Sequence, residues 1–200
     1  MPIFRPKSTS GGGNKFMGIV PVSVDSFSDR SNEFDWADLF IEVTLKVQDS
    51  EYTKPMRVAG SLDKDTNGKI TGGSVLSRLY NLLDAVSCKA GLNIDGSWED
   101  EEGNIIDDIY GLLNDKHTTS KFGFPFVAYI YKSKPKNPGE KSYTRVHPRL
   151  FPNDDSGKKE LQEHVTWMKS KGFLKEADAS DLVPQPNGNN NMSEGAIGNL

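Results

Sequence analysis

The sequence predicts a mainly β fold: a five-stranded barrel with a helix between its third and fourth strands and a further helix near the C-terminus. Three observations predict it. Patterns of period two occupy most of residues 16–152, the clearest being Leu39, Ile41, Val43, Leu45 and Val47 on one face. One helical stripe interrupts them after the third. The 19 glycines and 11 prolines in 200 residues mark many turns and favour short strands over long helices.

The first strand spans Phe16 to Val24, where Val20, Val22 and Val24 alternate with smaller or polar residues. Asp25 to Asn32 is rich in turn formers. The second strand follows, with Trp36, Asp38, Phe40, Glu42, Thr44 and Lys46 on the face opposite its apolar one. A third, near Tyr52 to Leu62, groups Met56, Val58 and Leu62, sets Arg57 opposite, and carries Gly60 as a bulge or bend. Ser74 caps a helix to about Lys89, with Leu76, Leu79, Leu83 and Val86 on one stripe and Gly91 after its last turn. A short helix is possible at Ile105 to Asn114. Strands four (Phe122 to Tyr131) and five (Lys141 to Leu150) flank the turn Asn137-Pro138-Gly139-Glu140. Gly157 to Lys171 is an amphipathic helix through Leu161, Val165 and Met168.

Three strands, a helix and two strands is the order of an OB-type barrel. An open five-stranded sheet with a packed helix gives the same order. The expected organisation is a flexible basic arm over 1–15, the barrel over 16–152 with an acidic insertion at 92–118, a helical segment over 153–182 and a disordered tail over 183–200. A barrel of about 100–140 residues buries enough apolar surface to stand alone.

Composition excludes several classes. Cys88 is the lone cysteine, which rules out an internal disulfide and a four-thiolate zinc site. No apolar run follows the opening residues as a secretory signal does, and none is long enough for a membrane span, so a cytoplasmic chain is expected. The net charge is -4 but unevenly spread. Residues 121–149 carry Lys121, Lys132, Lys134, Lys136, Lys141, Arg145 and Arg149 against Glu140 alone, whereas residues 92–116 carry eight acids against Lys116. At physiological ionic strength the local field decides, so one basic stretch in an acidic chain can still bind phosphates.

OB-type barrels grip oligonucleotides on the outer face of strands two and three and with the loops joining strands one–two and four–five. Suitable residues stand at each place: Trp36 and Phe40 on strand two, Arg57 on strand three, Phe27, Arg30 and Phe34 in the first loop, and Lys132, Lys134, Lys136 and Lys141 in the last hairpin. Tyr143, Arg145 and His147 share one face of strand five. Aromatic stacking contributes about 1–3 kcal/mol per base and cations add a salt-dependent term, so single-stranded DNA with little sequence preference is the expected ligand. The alternative is a protein–protein adaptor or virion-associated domain, in which the same aromatics bury against other protein surface.

Asp63, Asp65 and Asn67, with Gly68 and Ile70, match the start of an EF-hand calcium loop. Ser74, however, stands where a bidentate Glu is needed, so a metal site is not favoured. No nucleophile-elbow, P-loop or H-E-x-x-H motif is present, and the three histidines lack metal-ligand spacing. No enzyme activity and no cofactor is expected. A nuclease or phosphatase using acids around Asp107 is the remaining catalytic reading.

The chain resembles the phage-encoded OB-fold single-stranded-DNA-binding proteins over roughly residues 16–152. The resemblance rests on Gly18-Ile19-Val20-Pro21-Val22, Leu39-Phe40-Ile41-Glu42-Val43, Leu79-Tyr80-Asn81-Leu82-Leu83-Asp84-Ala85 and Tyr143-Thr144-Arg145-Val146. It implies a role in replication or recombination in the host cytoplasm, with partners from that machinery. Arg5 and Lys7, within Arg5-Pro6-Lys7-Ser8-Thr9, resemble the basic arm by which T4-type helix-destabilising proteins contact a neighbouring copy. Such proteins often end in an acidic tail. Here the last eighteen residues hold only Glu194, and the acidic 92–108 stretch is a candidate substitute, as a partner contact or as a competitor for the basic groove.

Overall fold

The computed structural model describes residues 16–137 and 140–178. The basic arm with Arg5 and Lys7, the Pro138-Gly139 turn and the tail lie outside the described residues. In chain order the elements are β1 (Gly18–Asp29), a 3-10 turn (Ser31–Glu33), β2 (Leu39–Val47), β3 (Thr53–Gly60), β4 (Asp63–Lys64), β5 (Ile70–Gly72), α1 (Ser74–Ala85), β6 (Gly91–Leu92) and β7 (Trp98–Glu99). They continue with α2 (Ile109–Lys116), β8 (Phe126–Lys132), β9 (Thr144–Val146), β10 (Phe151–Pro152) and α3 (Asp155–Ser170).

Five antiparallel strands form a nearly closed, OB-type barrel in the order β9-β8-β1-β2-β3. β9 lies beside β3 and runs in the same direction, but no ladder joins them. The alternation of β2 explains its place. Ile41, Val43 and Leu45 are fully buried in the barrel with Val22, Val24, Met56 and Val58. Each such side chain contributes about 1.5–3 kcal/mol relative to exposure. α1 seals one end with Val75, Leu79, Leu82 and Leu83. Gly60 lets it approach, because a Cβ there would stand 3.1 Å from the Cβ of Val75.

Several boundaries differ from expectation for identifiable reasons. β1 runs on through Asp29 instead of turning at Asp25, and a bulge between Val24 and Ser26 shifts its phase by one residue. Phe27 therefore pairs with Val43 and points inward, where simple alternation would place Ser26. Its backbone is held by α2: the Asn114 amide accepts from Phe27 N at 2.8 Å and donates to Phe27 O at 2.9 Å. α1 is capped by Gly73, not Ser74, without a side-chain bond, and it ends at Ala85 before Ser87 adopts a left-handed φ of 56°. β8 begins at Phe126, and α2 starts where Asp108 caps it, later than the expected Ile105. The fifth strand is broken into β9 and β10, both paired with β8. Pro148 has no N–H for the ladder, and a tight turn around it joins Arg149 N to His147 O at 2.8 Å.

Hairpins form both between β4 and β5 and in the acidic insertion, which ends in α2. Asp65–Gly68, Asn93–Gly96 and Asp100–Gly103 repeat one turn: the first carbonyl accepts from the glycine N–H at 3.0, 3.0 and 3.1 Å, and each glycine has positive φ. Asp65 and Asp100 each accept two further backbone N–H bonds through their carboxylates. Leu92, Trp98 and Ile106 pack from this region onto the barrel core.

α3 covers the outer face of β8 and the start of β1. Leu161, Val165 and the following Leu174 form a second core with Val127, Tyr129 and Phe151. Gly157, in the first turn of α3, passes so close to β10 that an added Cβ would lie 2.1 Å from Pro152 O. No helix among the described residues is long and apolar enough to cross a membrane.

Candidate nucleic-acid interface

Because α3 roofs only β8 and the beginning of β1, the outer face of β2 and β3 stays open. The register places Phe40 beside Ala59, Glu42 beside Arg57 and Thr44 beside Pro55. The loop from Arg30 to Asp38 folds back over the β2 end of this face, held by Arg30 N donating to Phe40 O at 2.8 Å and Phe40 N donating to Ser31 Oγ at 2.9 Å. Phe34 thereby stacks on Phe40, centroids 4.6 Å apart and planes 16° apart, and Trp36 meets Phe40 edge-on at 5.9 Å. Phe40 is only 3% exposed beneath them, whereas Trp36 is 59% exposed. The ring offered to solvent is the Trp36 indole, backed by two phenyl groups.

Ion pairs surround it. Glu42 accepts from Arg30 Nη1 at 2.9 Å and from Arg57 Nε at 3.0 Å, and Arg30 also pairs with Glu33. The Arg30 guanidinium, beside two carboxylates, is held even more firmly in its charged form. Glu33 is pushed below the usual carboxylate range by its bond to Arg30. Asp38 is lowered likewise by Lys64, 2.7 Å away, and by Leu62 N. Both arginines of the face are thus already matched by carboxylates, so its net field is weaker than the sequence suggests.

The expected site residues separate into groups. Arg30, Phe34, Trp36 and Arg57 come together on the open face. Phe40 lies on that face but is covered, so it supports the rings above it. Phe27 does not belong to the first loop: it is a core residue, 3% exposed, as the bulge dictates. Lys132, Lys134, Lys136 and Lys141 flank the β8–β9 hairpin. Lys134 is engaged by Asp178 at 3.2 Å, and its N–H donates to Lys175 O, so the segment after α3 fastens this side of the hairpin. Lys136 and Lys141 are exposed. Tyr143 is exposed just before β9, and Arg145 on β9 pairs in register with Tyr131 on the outer side. His147 does not share their exposure, since it is buried under α3 against His164. Asp63 stands on β4 and Asp65 closes a turn with its carboxylate, a hairpin geometry quite unlike a helix-flanked calcium loop.

Sequence reasoning missed the group around Arg78, Arg149 and His164. Their only sequence signal is cations spaced among polar residues on a helix and beside a proline. Compared with known protein families, curated proteins and solved structures, the chain has no significant match.

Proposed function

We propose that the chain is a non-catalytic single-stranded-DNA-binding protein that coats exposed strands in phage replication or recombination. The observation that carries this reading is the exposed Trp36 indole, braced by Phe34 and Phe40 on the open β2–β3 face between Arg30 and Arg57. An unpaired base offers a π-face to that indole, while Arg30 and Arg57 stay on Glu42 and leave most of the phosphate contact to the cations of the fifth strand. Lys136, Lys141, Tyr143 and Arg145 extend the contact along the fifth strand and its hairpin. Nothing in this arrangement reads a base edge, so sequence preference is weak. The arm with Arg5 and Lys7 contacts a neighbouring copy on the same strand, and replication or recombination proteins are further partners.

Titration with oligo-dT tests the reading. Tryptophan fluorescence is quenched and the quench reverses with salt. Trp36→Ala weakens binding by about tenfold, the value of one stacked base, and leaves the melting temperature nearly unchanged. A salt-insensitive signal, or none, rejects it.

One observation favours a second reading, a protein–protein adaptor. Glu42 balances both arginines, and a charge-matched rim around an exposed aromatic also suits a protein partner. In that case oligo-dT leaves the fluorescence unchanged.

A further inference from the structure

A cleft of about 480 Å3 opens where α1, the Pro148 turn and the end of α3 meet. Its walls carry Arg78 from α1 and Arg149 from the turn, and no aspartate or glutamate lines it. In a chain with 28 acids against 24 lysines and arginines, such a wall is locally positive against the overall balance. Neither arginine has a carboxylate within 4 Å among the described residues. Both contrast with Arg30 and Arg57, which are already paired. Arg149 is steadied over the Phe151 ring at 4.8 Å, which fixes its guanidinium without neutralising it.

Two further features point to an occupant. His147 lines the cleft, is 5% exposed, and its Nδ1 has no hydrogen-bond partner. A buried polar atom left unpaired calls for a ligand or water group to complete it. Of the flat rings here, exposed Phe173 and His164 line the cleft, and Trp167 packs beside both, 5.7 Å from Phe173 and 6.0 Å and 26° from His164. Planar guanidiniums suit a phosphate, and ring faces suit a base.

We infer that this cleft is a second binding site, which takes one nucleotide unit with its phosphate on Arg78 and Arg149 and its base against Phe173 and the His164–Trp167 pair. It shares no residue with the β2–β3 face and does not depend on the role proposed for Trp36. The same chemistry arrives as a free nucleotide or as one unit of a strand.

Amide spectra of the isotopically labelled full chain, carrying Trp36→Ala to silence the other face, are recorded during titration with dTMP, oligo-dT and inorganic phosphate. Resonances of Arg78, His147, Arg149 and Phe173 shift with a nucleotide-bearing ligand. Shifts with dTMP show that a free nucleotide suffices, and shifts with oligo-dT alone assign the cleft to the path of a strand. Arg78→Gln weakens the response about tenfold, the loss of one charge-assisted bond. Phe173→Ala, at an exposed ring, weakens the nucleotide response and not that of phosphate. No shift with either nucleotide ligand overturns the inference. So does phosphate binding as tightly as dTMP, or an unaltered response in Arg78→Gln.

Discussion

Glu42→Gln is the most informative single change, because one carboxylate holds two arginines of the open face. Glu42 is mostly buried at its side chain, and it accepts from Arg30 at 2.9 Å and Arg57 at 3.0 Å. Glutamine keeps the shape and one acceptor but removes the charge. Among the described residues Arg57 then has no anionic partner, and Arg30 retains only Glu33. If DNA occupies this face, one to two additional phosphates become available to bare guanidinium groups. For single strands each phosphate contact adds about 0.7 to the slope of log K against log salt. The slope therefore steepens by about 0.7–1.4, and affinity at low salt rises about tenfold, as expected for one new charge-assisted bond of roughly 1.5–3 kcal/mol. The stability cost is small, since partly exposed pairs contribute about 0.2–1 kcal/mol. Fluorescence anisotropy of labelled oligo-dT at four salt concentrations measures both quantities. An unchanged slope and affinity in a variant that melts normally would refute the reasoning and favour the adaptor reading.

Phe27→Ala removes a core ring, so urea unfolding should report a loss of about 3–5 kcal/mol while the folded fraction binds DNA normally; full stability with lost binding would return Phe27 to the interface. Gly157→Ala reverses the usual helix rule. Alanine is ordinarily better in a helix by about 1 kcal/mol, but here its Cβ meets Pro152 O, so a net loss of about 1–3 kcal/mol is expected, and a rise in melting temperature contradicts it. Burial, with His164 and Arg149 nearby, pushes the His147 imidazole down to about 4. The unfolded chain takes up this proton near pH 6.5 and the folded one only near 4, so stability is highest above pH 6.5 and falls as the pH drops through that window. His164 is lowered in the same sense. The loss from His147 approaches about 3 kcal/mol at 1.36 kcal/mol per unit. Urea midpoints at pH 7 and pH 4.5 measure it, and a His147→Phe variant should show the flatter profile.

The barrel was legible because its strongest signals are local. Leu39 to Val47 alternates without interruption, and the α1 stripe breaks the period where the topology needs a crossover. What was illegible depends on distant partners. Nothing near Asp25 announces a bulge, because the bulge is fixed by pairing with β2 and by Asn114, 87 positions from Phe27. Phe40 reads as outward from alternation, and it does face outward, yet its cover comes from a loop whose path is set by Ser31 and Arg30. Matching of Arg30 and Arg57 by Glu42 is likewise a cross-strand fact. The repeated turns were readable in principle: Asp65-Thr66-Asn67-Gly68, Asn93-Ile94-Asp95-Gly96 and Asp100-Glu101-Glu102-Gly103 each place glycine three residues after an Asx residue. At the first, the spacing of acids also matches calcium ligands, and at the others the residues are dominated by charge, so one composition serves several readings while the backbone role is common.

The bulged residue also divides the labour of the first strand. Upstream of Asp25, the segment is zipped to β8 on one edge and begins its ladder with β2 on the other, the Thr119 hydroxyl accepting from Val24 N at the junction; downstream, it keeps β2 and exchanges β8 for the amide of Asn114. Deleting one residue here would do more than shorten a chain. It would flatten the bulge into a regular ladder in which Ser26 and Phe27 keep their faces; a second deletion would turn the rest of the strand over, bringing serines into the oil and a benzyl group into the water. The loop bearing Trp36 begins directly beyond that segment. Beyond that one absorbed residue, insertions and deletions at this corner act as a rotary selector between two surfaces, which makes the length of the segment, more than its composition, the quantity on which the presented indole depends.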